Sequence, residues 1–274
     1  MLDLNRIKKL QKSSIFGKYN YYLPEIDSTN AYAKRLAIGG APEGTVVMTD
    51  YQTEGKGRLG HFWESSRDVN ILLSLILRPR LNIDHAIKIT LATAVIIISA
   101  LKKSLKNTSS GKIDFTVKWP NDILANGKKV GGILMESMLR EKEVLFVVVG
   151  IGLNINQDPA HFSKEVQKTA TSLFAETGLN LERERIIAGF LSTFEKEYFH
   201  LERTNYNQVI RNWKRHCTHL GQEIVIETHT GKESGTFLDV NQRGILLYRS
   251  GSGEEKELVT GSIKHVRTAH GSDD

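Results

Sequence analysis

Apolar positions along the chain follow two periods in turn. Strand-like runs, alternating or unbroken, cover Tyr19–Leu23, Thr45–Gln52, Asn70–Leu77, Ile113–Lys118 and Val144–Val149. A helical period replaces them at Ala31–Ala37, Ile83–Leu105 and roughly over 181–201 and 205–217. Asp27-Ser28-Thr29-Asn30 supplies N-cap residues to the first of these helices, Gly39-Gly40 ends it, and Asn82 or Asp84 caps the second. Residues 1–14 are polar and basic and predict a short leading helix or a frayed end.

Asn126-Gly127 is a two-residue hairpin signal between Ile123-Leu124-Ala125 and Lys128–Met138. In that register Ala125 pairs with Lys128 and Leu124 with Lys129. Asp122 then shares a face with Leu124, Lys129 and Gly131, which makes Asp122 and Lys129 diagonal neighbours. From Gly221 the pattern changes to about five short strands, at 223–227, 233–240, 245–249, 256–259 and 263–266. Turns at Thr230-Gly231, Gln242-Arg243-Gly244 and Gly251-Ser252-Gly253 separate them, the signature of a small barrel. The expected organisation is a leader (1–18), a large mixed domain (19–220) and a small all-β domain (221–274).

Composition narrows the class. A chain of 274 residues with 40% hydrophobic and 25% charged content is globular, not disordered. A net charge of +6 either favours anionic partners or describes a solvated surface. The single Cys217 excludes an intramolecular disulfide and argues against a cysteine-based zinc site, and its neighbours His216 and His219 crowd one helix. No apolar segment follows Arg6, Lys8 and Lys9, so no signal peptide is visible. Ile87–Leu101 is interrupted by Lys88, Thr90, Thr93 and Ser99 and reads as a core helix, not a membrane span. A cytoplasmic protein is expected.

The chemistry centres on Gly55-Lys56-Gly57-Arg58-Leu59-Gly60-His61-Phe62-Trp63. Its three glycines let a ligand approach the backbone N–H groups, and they should leave the loop mobile until a ligand orders it. With two cations between the glycines and a Trp after them, the loop suits an anion joined to a flat group, such as a nucleotide. A dinucleotide fold would need a helix immediately after G-x-G-x-x-G and an acid some 20 residues on; here a strand follows and 78–82 contains no acid. Kinase and Walker signatures are absent.

Ser28-Thr29-Asn30, Tyr51-Gln52, the Gly55–Trp63 loop, Lys118-Trp119-Pro120-Asn121-Asp122, Lys129-Val130-Gly131-Gly132-Ile133-Leu134 and Gly150-Ile151-Gly152-Leu153-Asn154 occur in this order. The pattern resembles the biotin protein ligases over about residues 19–268. The resemblance implies an α+β fold: a central mixed β-sheet packed with helices, of the class II synthetase-like biotin/lipoate ligase type, plus a C-terminal SH3-like β-barrel. It implies formation of biotinyl-5′-AMP from biotin and ATP, with Mg²⁺, and transfer of biotin to a lysine of a biotin carboxyl carrier protein. Larger relatives carry an N-terminal DNA-binding domain with no counterpart in this sequence, so neither repression nor DNA binding is expected. Family members often form homodimers through the central domain.

The resemblance also assigns residues. Lys129 stands beside the carboxylate and the bridging phosphate oxygens, and Lys56 and Arg58 hold phosphate together with the loop N–H groups. Asp122 orients Lys129, helps place Mg²⁺ or acts as a general base. Ser28, Thr29, Asn30 and Gln52 supply donors and acceptors to the ureido ring, with Gly55 and Gly57 in the loop beside it. Gly132, Gly150 and Gly152 leave room for the fused rings. Trp63 packs over the adenylate, Asn154 reads adenine, and Lys118 and Asn121 complete the nucleotide site. Read without the resemblance, Ser28–Asn30 is a helix cap, Lys129 an exposed hairpin lysine, Asp122 a turn cap and the three glycines turn or bulge residues.

The family loop usually reads G-R-G-R-x-G-R, and Lys56 and His61 replace its first and third arginines here. Lys56 keeps the charge but not the bidentate fork, and a neutral His61 brings no charge at all. Two other readings compete. Lipoate ligases and octanoyl transferases share the superfold but lack the W-P-N-D plus G-x-G-R pairing. A nucleic-acid-binding module would use the basic charge, yet Glu254, Glu255 and Glu257 sit in one barrel loop with no aromatic–basic interleaving.

Overall fold

The structure is a computed structural model that describes residues 1–79, 86–106, 112–141, 143–204, 206–228 and 231–265. The elements run α1 (Leu4–Leu10), β1 (Asn20–Leu23), α2 (Thr29–Ile38), β2 (Val46–Thr49), β3 (Ile71–Leu77) and α3 (Ile87–Leu105). There follow β4 (Phe115–Lys118), β5 (Asp122–Ala125), β6 (Lys128–Arg140), β7 (Glu143–Leu153), α4 (Lys164–Gln167), α5 (Leu173–Thr177), α6 (Arg183–Arg203) and α7 (Val209–Lys214). The C-terminal strands are β8 (Glu223–Thr228), β9 (Gly231–Val240), β10 (Leu246–Ser250), β11 (Glu255–Leu258) and β12 (Ser262–His265). The Asn82 and Asp84 cap candidates, Thr230 and Val266 lie outside the described residues.

Two sheets carry the fold. The larger has the order β1-β2-β3-β7-β6-β5-β4, with β1 parallel to β2 and every other pair antiparallel. It is the expected mixed sheet. The smaller, β11-β10-β9-β8-β12, is antiparallel and stands where the barrel was expected. Among the described residues the small sheet has no separate core: Ile224, Ile226 and Phe237 join the main cluster, and Trp119 Nε1 donates to the Gly244 carbonyl at 3.0 Å.

Strand periodicity divides the large sheet into two chemically different faces. Leu73, Leu75, Val147, Val149, Ile151 and Ile133 point into one core with Ile97 of α3 and Phe190 and Phe194 of α6. Each such fully buried side chain contributes about 1.5–3 kcal/mol. On the opposite face, Val47, Ile76, Phe146 and Val148 lie under Ala33 and Ala37 of α2. The helix α2 covers only that end. Beyond it the same-face positions become Ser74 and Leu72 on β3, Gly150 and Gly152 on β7, and Leu134 and Gly132 on β6. An open shelf is left beside the N-terminus of α2.

Several expectations change in detail. β7 continues through Gly150-Ile151-Gly152 instead of ending there, so Gly150 and Gly152 are in-strand residues whose missing side chains clear one face. A bulge between β5 and β6 shifts the hairpin register: Leu124 still faces Lys129, but Asp122 faces Gly132, not Gly131. Gly131 turns to the core side, where a Cβ would stand 2.5 Å from Leu153 Cδ2. The short helices α4 and α5 were not anticipated. The polar leader is tied down: Glu195 accepts from the backbone N–H groups of Ser14, Ile15 and Phe16, and the Phe16 ring packs on Phe194, Tyr198 and Phe199. Among the described residues, no helix is long and apolar enough to cross a membrane.

One buried ion pair fixes where β2 releases the chain toward the glycine loop. Asp50 accepts from Arg183 Nη1 at 2.7 Å, from the Leu2 N–H at 3.2 Å and from the Tyr22 hydroxyl. Burial would raise the pKa of this carboxyl, but the Tyr22 and Arg183 contacts outweigh it and hold the pKa below its ordinary value. Asp50→Ala strands the Arg183 charge in the core and should cost about 3–5 kcal/mol of stability. A urea-unfolding midpoint within error of wild type would contradict this.

Candidate active site

The shelf is the floor of a cavity of about 850 Å³. Ser28, Thr29, Asn30, Gln52, Lys56, Gly57, Arg58, Trp63, Lys118, Asn121, Asp122, Lys129, Gly132, Gly150, Gly152 and Asn154 all line it. Gly55 lies behind this wall, closed in by Trp63, whose carbonyl would be 2.8 Å from a Cβ there. Residues from six separate sequence segments therefore converge on one space.

The polar wall at the start of α2 has its donors and acceptors fixed by neighbours. Ser28 caps the helix, as its type predicts. Gln52 Oε1 accepts from the Thr29 N–H at 2.8 Å and from its hydroxyl at 3.0 Å. A backbone N–H can only donate, so Gln52 must turn its oxygen inward, and its Nε2 is left for the cavity. Asn30 is set the other way. Its Nδ2 donates to the Leu134 carbonyl at 3.1 Å and to Glu136 Oε2 at 2.8 Å, both acceptors. Its Oδ1 therefore faces Gly150, where a Cβ would come within 2.2 Å. Ser74 Oγ lies 2.7 Å from that oxygen and 2.8 Å from Thr29 Oγ1. Ser74 and Glu136 drew no attention in the sequence, because a polar residue on an ordinary strand carries no signal until its neighbours are known.

Across the floor stands a charged triad. Asp122 Oδ2 is 2.7 Å from Lys118 Nζ, and Oδ1 is 2.7 Å from Lys129 Nζ. Local structure explains both pairs. Lys118 faces Asp122 across the turn from β4 to β5, and Lys129 of β6 pairs with Leu124, two positions along β5 from Asp122. Lys129 is also held by its backbone, donating to Thr169 O and accepting from Thr171 N, each at 2.8 Å. Burial would raise the Asp122 pKa, but Lys129 and Lys118 outweigh it and hold it at about 2. The group is ionised throughout the neutral range.

The glycine loop folds as a small hairpin over this triad. Trp63 N donates to Gly55 O at 2.9 Å and Gly57 N to His61 O at 2.7 Å. Its tip is a 3-10 turn at Arg58–Gly60 in which Leu59 (φ 54°) and Gly60 (φ 77°) are left-handed. The N–H of Gly57 is therefore spent inside the loop and is not among the loop N–H groups left to meet a phosphate. Arg58 is half-buried and has no ion-pair partner among the described residues; burial lowers its pKa and Asp122 partly offsets that. Lys56 and His61 are exposed.

Trp63 changes the reading of two glycines. Its indole lies flat against the floor, so that a Cβ on Gly152 would be 2.5 Å from Cε2 and one on Gly132 would be 3.0 Å from Cζ3. The space above Gly132 and Gly152 holds an aromatic side chain, not open room for a ligand. Lys129 Nζ is 5.5 Å from the ring centroid, within cation–π range. Trp63 Nε1 and Asn154 Oδ1 are buried without a hydrogen-bond partner, while Asn154 Nδ2 donates to Thr171 O at 2.9 Å. Orphaned polar atoms of this kind are rare in native proteins, and here both border the cavity. One Asn121 amide N–H is spent on the Ile133 carbonyl at 2.9 Å, which leaves the second N–H and the oxygen.

The described residues contain no group of three His, Cys, Asp or Glu able to hold a metal. Other wall residues escaped the sequence reading, among them Lys168 and Thr169 after α4, and Ser262 and Ile263 from the small sheet. Their segments carry no periodic or motif signal that ties them to the loop.

Comparison with known proteins agrees with this geometry. The profile of the Biotin/lipoate A/B protein ligase family matches residues 22–154, a span that contains all the site residues named above from the sequence. The chain is 34% identical over 245 residues to the Bifunctional ligase/repressor BirA of Bacillus subtilis, covering 89% of this chain and 74% of that protein. It is 30% identical over 234 residues to the Biotin--[acetyl-CoA-carboxylase] ligase of Paracoccus denitrificans, covering 85% and 95% respectively. The structure of the biotin protein ligase from Aquifex aeolicus in complex with biotin and ATP superposes with a TM-score of 0.74 at 27% identity, over 92% of this chain and all of that one. The chain belongs to the biotin protein ligases.

Proposed function

We propose that the cavity performs both half-reactions of an ATP-dependent biotin–protein ligase, forming biotinyl-5′-AMP and then passing biotin to a lysine of a biotin carboxyl carrier protein. One observation carries this reading: a wall of oriented amides and a cluster of cations face the same enclosed space. A cyclic urea needs acceptors for its N–H groups and a donor for its carbonyl. Asn30 Oδ1 and the Gln52 amide N–H supply that complement. A linear lipoyl or octanoyl chain has no such polar head, so the amide wall favours biotin over those substrates.

In the first step a biotin carboxylate oxygen bonds to the α-phosphorus of ATP and the bond to pyrophosphate breaks. Two like charges about 4 Å apart repel by about 4 kcal/mol at an effective dielectric of 20. Lys56, Arg58, Lys118 and Lys129 gather around Asp122 on this side of the cavity, and their positive charge offsets that repulsion. In the second step the carrier amine attacks the acyl carbon, AMP leaves, and the amine loses a proton. A carboxyl with a pKa near 2 is a poor base for that proton. The same geometry supports a different role for Asp122, that of holding Lys118 and Lys129 apart and aimed.

Asp122 does not suit Mg²⁺ either, because an ammonium already occupies each of its oxygens. The metal would enter on the nucleotide phosphates, where it supplies further positive charge. Trp63 Nε1 and Asn154 Oδ1, the unpartnered atoms, are suited to a nucleobase.

Transfer of labelled biotin to a carrier domain, dependent on ATP, tests the function as a whole; ATP-dependent labelling with lipoate instead would overturn it. Lys129→Ala should lower the adenylation rate by a factor on the order of 10²–10³, while biotin binding measured by calorimetry weakens much less. Equal loss of both would make Lys129 a binding residue. Asn154→Ala should weaken ATP binding about tenfold and leave biotin binding unchanged; unaltered ATP binding would remove Asn154 from the nucleotide site. Asp122 makes a pH prediction. Its folded-state pKa lies below the ordinary value of 3.8, so its stabilisation is complete above about pH 4 and fades as pH falls toward 2. The stability gap between wild type and Asp122→Asn, about 2 kcal/mol at neutral pH, should close across that window. A gap independent of pH would contradict the ion-pair account.

A further inference from the structure

Asn30 can recognise a urea N–H only while its carbonyl oxygen faces the cavity. An amide can turn end for end at almost no steric cost, so something must hold it. Ser74 cannot, because its hydroxyl donates to an oxygen or accepts from an N–H equally well. The Leu134 carbonyl favours the observed orientation but is neutral and 3.1 Å away. Glu136 remains, with Oε2 at 2.8 Å from Asn30 Nδ2. As a carboxylate it is charged, closer and accepts only, so a reversed Asn30 would press one oxygen against another.

The placement of Glu136 supports a dedicated role. It shares the cavity-side face of β6 with Gly132 and Leu134, but stands one position beyond the cavity wall, opposite Val148 and beside α2. It is partly buried and has no cationic partner among the described residues. A carboxylate serving only stability in such a place would be expected to sit beside a Lys or Arg. Its one described hydrogen bond goes to the amide that borders the cavity.

We propose that Glu136 is a positioning residue that fixes Asn30 as a hydrogen-bond acceptor, and so sets the preference of the site for the N–H groups of a cyclic urea. The proposal rests on the biotin reading above. Glu136 touches no substrate and acts through Asn30 alone. Its effect therefore falls on biotin recognition and leaves the nucleotide half of the cavity unaltered.

The test uses the full chain carrying Glu136→Met or Glu136→Gln, with biotin, its two mono-N-methyl ureido derivatives and ATP as ligands. Glu136→Met removes the acceptor at similar length. It should weaken biotin binding about tenfold and reduce by a similar factor the preference for biotin over the derivative that wild type rejects most. The KM for ATP and the kcat at saturating biotin should stay within about twofold. Glu136→Gln, which can still present an oxygen to Asn30, should recover most of the biotin affinity. If Glu136→Met loses its cooperative thermal transition, Glu136→Thr is measured in its place. Biotin affinity equal to wild type, or parallel loss of biotin and ATP binding, would overturn the role of Glu136 alone. Failure of wild type itself to bind biotin would overturn the ligase reading and this inference together.

Discussion

A buried carboxylate held between two ammonium groups gives this cavity its character. Without Asp122, Lys118 and Lys129 would repel each other in a poorly solvated space. With it, they stand on opposite sides of one anion, each 2.7 Å away, and the triad keeps a net positive charge. Arg58 and Lys56 extend that charge from the loop above. Other features of the site serve either to build this arrangement or to bring a second anion to it.

The building is done by strand periodicity. On β6 and β7 one set of alternate residues is apolar and packs on α3 and α6, which anchors the sheet. The other set is glycine exactly where the cavity begins: Gly132 faces Gly152 across the pair, and Gly150 faces Leu134. Because α2 covers only the Ile76–Val148 end of that face, its N-terminal residues Ser28, Thr29 and Asn30 reach over the edge of the shelf. One helix thus closes a core with its alanines and presents recognition groups with its first turn.

Much of this was legible in the residues and some was not. The Asn126-Gly127 turn and the positions of Asp122 and Lys129 were enough to anticipate their ion pair, since a two-residue hairpin dictates register near the turn. The bulge at Val130 was not visible, because an extra residue in one strand leaves no mark on alternation over so short a run, and Gly131 and Gly132 exchanged faces as a result. The glycines at 150 and 152 suggested a turn, yet they lie inside a strand. Only the partner strands show that their missing side chains admit Asn30 and Trp63. Ser74 and Glu136 were beyond reach for the same reason: their role is a contact between elements, and no local pattern encodes it.

The central claim is that this cavity joins a carboxylate to the α-phosphate of ATP, a step that is reversible while the adenylate stays bound. The most direct measurement is exchange of radiolabelled pyrophosphate into ATP. The account predicts exchange that requires biotin, that lipoate does not support, and that proceeds with no carrier protein present. Exchange independent of biotin, or none with biotin and ATP both saturating, would contradict it.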